Sequence, residues 1–160
     1  MKLLLLTAPA DLGGDGDKTK GLGTNLAALL GDQFPEQPGV RWKVPSGLQA
    51  MAEDLSLAAD LDLTYMEIDV VDVLCAVGRP EAKWDALERI VREGGPGIAI
   101  LAPQRTVAGL VTSLEVGRPH YGPLEPSALD AIAPGYALDL RRDDGRLLVG
   151  PDSIKEVTWA

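Results

Sequence analysis

The 160-residue chain has a single cysteine, few aromatic residues and no long apolar run. With Cys75 alone, no disulfide can form within the chain and no zinc cage can be built from cysteines. Aromatic residues make up 4% of the sequence, so we expect a core of leucine, valine, isoleucine and alanine. No stretch approaches the 18 or more apolar residues that a membrane helix needs. These absences predict a soluble protein of a reducing compartment, and we expect a cytoplasmic location without membrane attachment.

Basic residues are also fewer than acidic residues. The sequence has 15 lysines and arginines against 24 aspartates and glutamates, which gives a net charge of −9. Proteins that bind nucleic acid draw most of their affinity from basic residues on phosphates. We therefore expect that nucleic acid is not a partner of this acidic protein.

The composition that remains is that of an ordinary globular protein. Hydrophobic residues make up 46% and charged residues 24% of the chain, close to the averages for folded domains. The sequence has no internal repeat and no linker long enough to divide it. We expect one globular domain that spans residues 1–160.

Short apolar runs predict buried strands in the first two-thirds of the chain. Residues 3–6 and 98–101 are continuously apolar and are followed by Pro9 and Pro103, which is typical of inner strands covered on both faces. Residues 40–44 predict another strand. Because helical patterns separate these runs, the sheet should be mostly parallel or mixed and flanked by helices.

A short helix capped by Thr24 or Asn25 and ended by Gly31 is predicted, and one or two helical turns are predicted over residues 127–132. Three longer helices are predicted by apolar residues at helical spacing. The first runs to about residue 57 and begins near Ser46 and Gln49, which have the spacing of a capping box. The second opens at Pro80 and stops near residue 94, and the third is capped by Thr106. Residues 61–77 fit neither period cleanly, and we favour a helix there. In such a helix, Cys75 is a buried, inert thiol and the acidic residues form a solvated face, namely Glu67, Asp69 and Asp72.

The C-terminal part differs because apolar and polar residues alternate in it. This pattern around Tyr136 and Leu138, the turn residues 143–145 and the apolar residues 147–149 predict an antiparallel hairpin. A further strand is expected over residues 154–159. The fold class is therefore α/β, with a C-terminal antiparallel hairpin added to the main sheet.

The strongest candidate site is a glycine-rich segment between the first strand and the first helical pattern. Glycines let backbone N–H groups approach a phosphate, and a following helix start adds positive potential. The spacing fits neither the phosphate-loop nor the dinucleotide pattern, and the EF-hand template fails as well. A solvated connection, an anion or small-ligand site and a metal site therefore remain open; we assign no metal. The candidate ligand-binding residues are Gly13, Gly14, Asp15, Asp17, Lys18, Lys20, Gly21, Gly23, Thr24 and Asn25.

His120 is the only histidine and lies between proline and glycine in residues 118–122, which predicts an accessible loop. An imidazole in such a loop can act as a general base only if a reacting group lies within hydrogen-bond reach. The sequence supplies no partner for it, so its role is left open.

Two functions of different classes follow from these observations. The absence of a paired catalytic constellation favours a small accessory protein that acts through protein–protein interaction. The alternative is a phosphate- or nucleotide-binding enzyme that uses residues 13–25, with Lys18 and Lys20 on the phosphate. Thus a protein partner or a small anionic ligand is expected, and no cofactor is assigned.

Overall fold

The computed structural model of the protein describes residues 2–8, 40–58, 66–94, 97–143, 146–150 and 152–157. Helices separate most of the strands up to residue 116, and strands predominate after it. The strands are β1 (Lys2–Ala8), β2 (Arg41–Val44), β3 (Glu67–Val70), β4 (Ile98–Pro103), β5 (Gly135–Asp139), β6 (Arg141–Asp143), β7 (Arg146–Leu148) and β8 (Ile154–Val157). The helices are α1 (Gln49–Ala58), α2 (Pro80–Glu93), α3 (Gln104–Val116) and α4 (Pro126–Asp130), and a 3-10 turn covers Asp72–Leu74.

The main sheet is mixed, as the sequence predicts. Its described strands lie in the order β3-β2-β4-β1-β5-β8. The first four of these are parallel to one another, whereas β5 runs antiparallel to both β1 and β8. β6 and β7 form a separate antiparallel ribbon. The predicted α/β class with a C-terminal hairpin is confirmed, and β1 is an inner strand between β4 and β5.

Both faces of the sheet are covered, which explains the unbroken leucine run of β1. Leu3 and Leu5 pack on the side of α2 and α3, whereas Leu4 and Leu6 pack on the side of α1. Successive side chains of a strand point to opposite faces, so a strand with helices on both sides has no polar face. Each of these leucines is almost completely buried, and such burial contributes roughly 1.5–3 kcal/mol per side chain.

A cluster of charges joins β2 and β3 to the end of α2. Lys43 is buried in the sheet but donates hydrogen bonds to Asp69 and, at 3.0 Å, to Glu93. Arg41 lies on the same face and contacts Glu67 at 3.3 Å. Burial by itself lowers the pKa of Lys43, but the hydrogen bonds and charges of Asp69 and Glu93 outweigh it and raise the pKa above its usual 10.5. The buried ammonium is therefore fully paired.

The prediction of a helix over residues 61–77 is wrong for the part that the structure describes. Residues 67–70 form the edge strand β3, the 3-10 turn follows, and residues 59–65 lie outside the described ranges. The strand is favoured because Glu67 and Asp69 reach the two cations of β2, while Ile68 packs against the core on the opposite face. Asp72 accepts a hydrogen bond from the Ser46 hydroxyl at 2.6 Å. The three acidic residues of this segment are exposed, as expected, but each of them is also paired.

The predicted capping box at the start of α1 is also wrong in its partners. The Ser46 hydroxyl bonds Asp72, and the Gln49 side chain accepts a hydrogen bond from the N–H of Gly47 at 2.8 Å. Gly47 has a φ of 95°, a conformation that favours glycine, and this turn connects β2 to the helix. The helix itself forms as predicted, because Ala52 and Leu55 bury its apolar side.

Candidate anion-binding site

The carboxyl ends of the four parallel strands meet at one edge of the sheet. Ala8 at the end of β1 lies opposite Pro103 at the end of β4. The antiparallel β5 begins at this same edge, where the N–H of Thr7 donates to the Pro134 carbonyl and its hydroxyl to the Ala133 carbonyl, both at 2.9 Å. In open sheets with parallel strands, ligands collect beyond the carboxyl ends of the strands. The candidate site should therefore be sought near this edge.

α3 starts at this edge because Gln104 follows β4 without an intervening loop. Thr106 is completely buried, and its hydroxyl donates to the carbonyls of Leu74 at 2.7 Å and Cys75 at 3.0 Å. These hydrogen bonds therefore hold the first turn of α3, which contains Arg105, against residues 74 and 75, which follow β3 in the sequence. The predicted role of Thr106 as the helix cap is wrong, since the helix begins two residues earlier and the hydroxyl bonds a different segment.

A cavity of about 320 Å³ lies between α2, α3, α4 and the loop that follows α3. It contains three basic side chains, and no aspartate or glutamate lines it among the described residues. The remainder of its wall is glycine, proline, leucine and one serine. The lining residues are Pro80, Lys83, Arg105, Gly109, Leu110, Ser113, His120, Gly122, Pro123, Leu124 and Leu129.

Lys83 is the most unusual of these residues, because it is a buried cation without a partner. Its exposed fraction is 6%; its backbone N–H donates to the Arg79 carbonyl, but no described residue forms a hydrogen bond or ion pair with its ammonium group. Burial lowers the pKa of Lys83, the charge of Cys75 opposes this effect, and the positive charge of Arg105 lowers the pKa further. In the described part of the chain, every side-chain nitrogen or oxygen that is fully buried forms a hydrogen bond. The Lys83 ammonium forms none, so it cannot be fully buried. The Lys83 ammonium is therefore open to the cavity that it lines.

The far wall of the cavity is held against α3 by specific hydrogen bonds. The backbone N–H of His120 donates to the Ser113 hydroxyl at 3.0 Å, and the Gln104 side chain donates to the carbonyl of Leu129 in α4. The imidazole of His120 lies against Gly122, where an added methyl group would be 3.2 Å from Nε2. The loop and α4 thus place the only histidine of the sequence, half-buried, on the wall of the cationic cavity.

A second cavity, of about 530 Å³, lies on the other side of α3 and has the opposite charge. Glu115 and Glu156 line it together with Tyr136, whose hydroxyl accepts a hydrogen bond from the N–H of Ala133 at 3.0 Å. Burial raises the pKa of Tyr136, the hydrogen bond from Ala133 lowers it, and the negative charges of Glu156 and Glu115 raise it further. Negative charge is therefore disfavoured in this cavity, and of the two cavities it is the first whose charge complements an anion.

All ten residues that the sequence nominated as ligand-binding, within 13–25, lie outside the described residues. The strand that precedes them, β1, does end at the edge where parallel strands meet. His120 was noted without a role, and it lines the cavity. Lys83 and Arg105 were missed. A signal for Lys83 was present, because it is spaced four and seven residues from Leu87 and Ile90 and so shares the buried face of α2.

The expectation that Cys75 is a buried thiol is wrong, whereas its expected inertness stays a prediction. Cys75 follows the 3-10 turn, is partly exposed, and lies near enough to Lys83 to influence its pKa. Within the ranges that the structure covers, no three acidic, histidine or cysteine side chains are grouped so as to hold a metal ion. None of the described helices has the length and apolar character needed to span a bilayer.

No known protein-family profile matches the sequence, and no curated protein is significantly similar to it. A solved structure is similar in fold: the protein histidine phosphatase SixA complexed with tungstate. The TM-score is 0.58 with 14% sequence identity, and the match covers 94% of this chain and 94% of that chain. The similarity therefore extends over nearly the whole fold, although few residues are shared.

The fold comparison overturns the sequence-based preference for an accessory protein that acts through protein–protein interaction. The fold resembles that of a phosphatase, and the alternative prediction of a phosphate-binding enzyme fits this finding better. The three basic residues of the cavity come from three separated segments of the chain, so no local motif of the sequence contains them.

Proposed function

We propose that this protein is a phosphatase-like enzyme that binds a phosphoryl group, or a similar oxyanion, in the cationic cavity. The observation that carries the proposal is the buried and unpaired Lys83, which lines a cavity together with Arg105 and His120 while no described carboxylate does so. A buried cation without a partner is costly, and a bound anion removes that cost. The similarity to a phosphatase solved with tungstate, a tetrahedral oxyanion, supports the same ligand class.

Each basic residue has a distinct chemical task in this proposal. The planar guanidinium of Arg105 suits two parallel hydrogen bonds to phosphoryl oxygens, whereas Lys83 supplies a compact point charge. His120 is assigned to the proton that the leaving group needs. In hydrolysis, water attacks phosphorus, the bond from phosphorus to the ester oxygen breaks, and the imidazolium gives its proton to that oxygen. The attacking water loses one proton to the solvent, and the imidazole takes a proton back from the solvent. Imidazole is suited to this step because it exchanges protons near neutral pH.

The glycine-rich segment 13–25 remains a proposal for additional phosphate contacts. Its support is that β1, which precedes it, is an inner strand that ends beside β4, and that Arg105 is the second residue after β4. Lys18 and Lys20 are the two side chains of the segment that can neutralise an anion. We also propose a cytoplasmic location, because the single cysteine fits a reducing compartment; cell fractionation tests this.

Calorimetric titration with inorganic phosphate and with tungstate tests the binding site. Arg105→Ala and Lys83→Met should each weaken binding about 10- to 100-fold, since a hydrogen bond to a charged group contributes about 1.5–3 kcal/mol. Arg146→Ala is the matched control, because Arg146 is exposed on β7 and lies outside the cavity. Lys18→Ala combined with Lys20→Ala tests the glycine-rich segment in the same titration.

Hydrolysis of phenyl phosphate, compared with p-nitrophenyl phosphate, tests the role of His120. His120→Asn should reduce the rate on phenyl phosphate by roughly 10²- to 10⁴-fold, the usual contribution of general acid catalysis, while phosphate binding persists. The loss on p-nitrophenyl phosphate should be much smaller, because p-nitrophenolate leaves without a proton. Affinities that are unchanged by both Arg105→Ala and Lys83→Met would remove the cavity from consideration. A wild-type protein that binds phosphate but does not turn over the ester would limit the proposal to binding.

A further inference from the structure

The interior of α3 contains a glycine that neither crowding nor backbone conformation explains. Gly109 lies in the middle of the helix, where glycine is less favourable than alanine. A methyl group at this position would have no heavy atom within 4 Å, and the φ of Gly109 is not positive. The space in front of Gly109 is the cationic cavity that Gly109 lines. The missing side chain therefore leaves the cavity open without serving the packing of the helix.

The cavity wall changes in character along α3. Arg105 lies in the first turn, and Gly109 follows four residues later on the same face, about 6 Å further along the axis. Apart from Lys83, Arg105, Ser113 and His120, the lining consists of glycine, proline and leucine and includes Leu110, Leu124 and Leu129. The cavity thus offers positive charge for an anionic group and apolar surface for a group that sheds water.

We propose that the natural ligand is a small organic anion whose apolar, ring-sized body lies over Gly109 while Lys83 and Arg105 hold its oxyanion. This inference rests on the proposed function and specifies its substrate class. A cavity of about 320 Å³ is at the lower end of the roughly 300–1,000 Å³ of small-molecule sites and is larger than a bare phosphate requires. The apolar wall and the carboxylate-free lining together complement an anion with an apolar body.

A series of phosphonates separates the two parts of such a ligand, because phosphonates cannot be hydrolysed at an ester bond. Binding of methylphosphonate, phenylphosphonate and 1-naphthylphosphonate is measured by calorimetry on the wild type. Phenylphosphonate should bind at least about tenfold more tightly than methylphosphonate, since its ring buries apolar surface in the cavity.

Substitutions of Gly109 then test whether the ring of the ligand lies over this residue. Gly109→Leu should remove the preference for phenylphosphonate and change methylphosphonate binding less than about threefold. Gly109→Ala, which needs no repacking, should weaken 1-naphthylphosphonate binding and raise Tm by roughly 1–4 °C through its better helix propensity. Thr112→Ala is the control, because Thr112 is in the same helix but lines the acidic cavity. It should leave all three affinities unchanged.

The outcomes distinguish this inference from the function on which it rests. Equal affinities for the three phosphonates, unaffected by either Gly109 variant, would overturn the organic-anion assignment and leave the oxyanion site intact. If no phosphonate and no phosphate binds, the proposed function fails. Tighter binding of a peptide that carries the same arylphosphonate would overturn the small-molecule assignment.

Discussion

The unpaired ammonium of Lys83 should destabilise the ligand-free protein, so its removal should stabilise the fold. Lys83→Met keeps an unbranched, apolar stem in a site where the residue is 6% exposed, and the packing is therefore retained. Folding of this variant no longer transfers a charged group from water into the protein. The effective penalty for a buried ion is several kcal/mol, and here the open cavity reduces it. We expect the free energy of unfolding to rise by about 1–3 kcal/mol at pH 7.

The pH dependence of this gain is fixed by the direction of the pKa shift. Burial lowers the pKa of Lys83 in the folded protein below the usual 10.5 that holds for the unfolded chain. The unfolded state therefore binds this proton more tightly, and the wild type is penalised at every pH below the folded pKa. The penalty shrinks as the pH rises from that pKa towards 10.5. The difference between Lys83→Met and wild type should accordingly be greatest near neutral pH and vanish above 10.5.

Urea unfolding of both proteins at several pH values measures this difference, with Lys155→Met as the control because Lys155 is exposed on β8. The same Lys83→Met protein should bind phosphate more weakly, so stability and ligand affinity should move in opposite directions. A variant that is less stable than wild type at pH 7 would show that Lys83 has a partner and would refute the reasoning. So would a stability difference that stays constant with pH.

Two further predictions concern buried polar contacts of the fold. Lys43→Met should lower the free energy of unfolding by about 1 kcal/mol, because the two carboxylates that lose their partner are more than half exposed. Asp69→Asn combined with Glu93→Gln leaves a buried cation without a partner and should lower the free energy of unfolding by about 3–5 kcal/mol. Urea unfolding checks this order, and equal losses would contradict it. Thr106→Val should lower the free energy of unfolding by about 1–3 kcal/mol, since it removes the hydroxyl that donates to the carbonyls of Leu74 and Cys75. Thermal unfolding measures this loss. No loss of stability would show that other donors satisfy those carbonyls.

The parts of the fold that the sequence predicted are those determined by neighbouring residues. The apolar run of β1 and the spacing of Trp84, Leu87 and Ile90 in α2 are local patterns, and both elements form as expected. β3 was assigned incorrectly because its stability comes from ion pairs to β2, which is more than 20 residues away in the sequence. Local periodicity contains no information about such pairs.

The candidate site was harder to predict for the same reason. Lys83, Arg105 and His120 come from α2, α3 and the loop after α3, and only the fold brings them to one cavity. The glycine-rich segment attracted attention because its residues are contiguous. Lys83, a lysine on an otherwise apolar face of α2, was the one local indication of the cavity, and it was missed.

The net charge of −9 has a consequence for how the cationic cavity fills. The protein as a whole repels an approaching anion at long range, whereas Lys83 and Arg105 attract it at short range. Dissolved ions screen charges beyond about 10 Å at 0.1 M salt and affect close, partly buried contacts much less. Moderate salt therefore weakens the distant repulsion more than the final contacts, and the proposed capture of an anion should quicken as salt is added, opposite to the behaviour of an open basic surface.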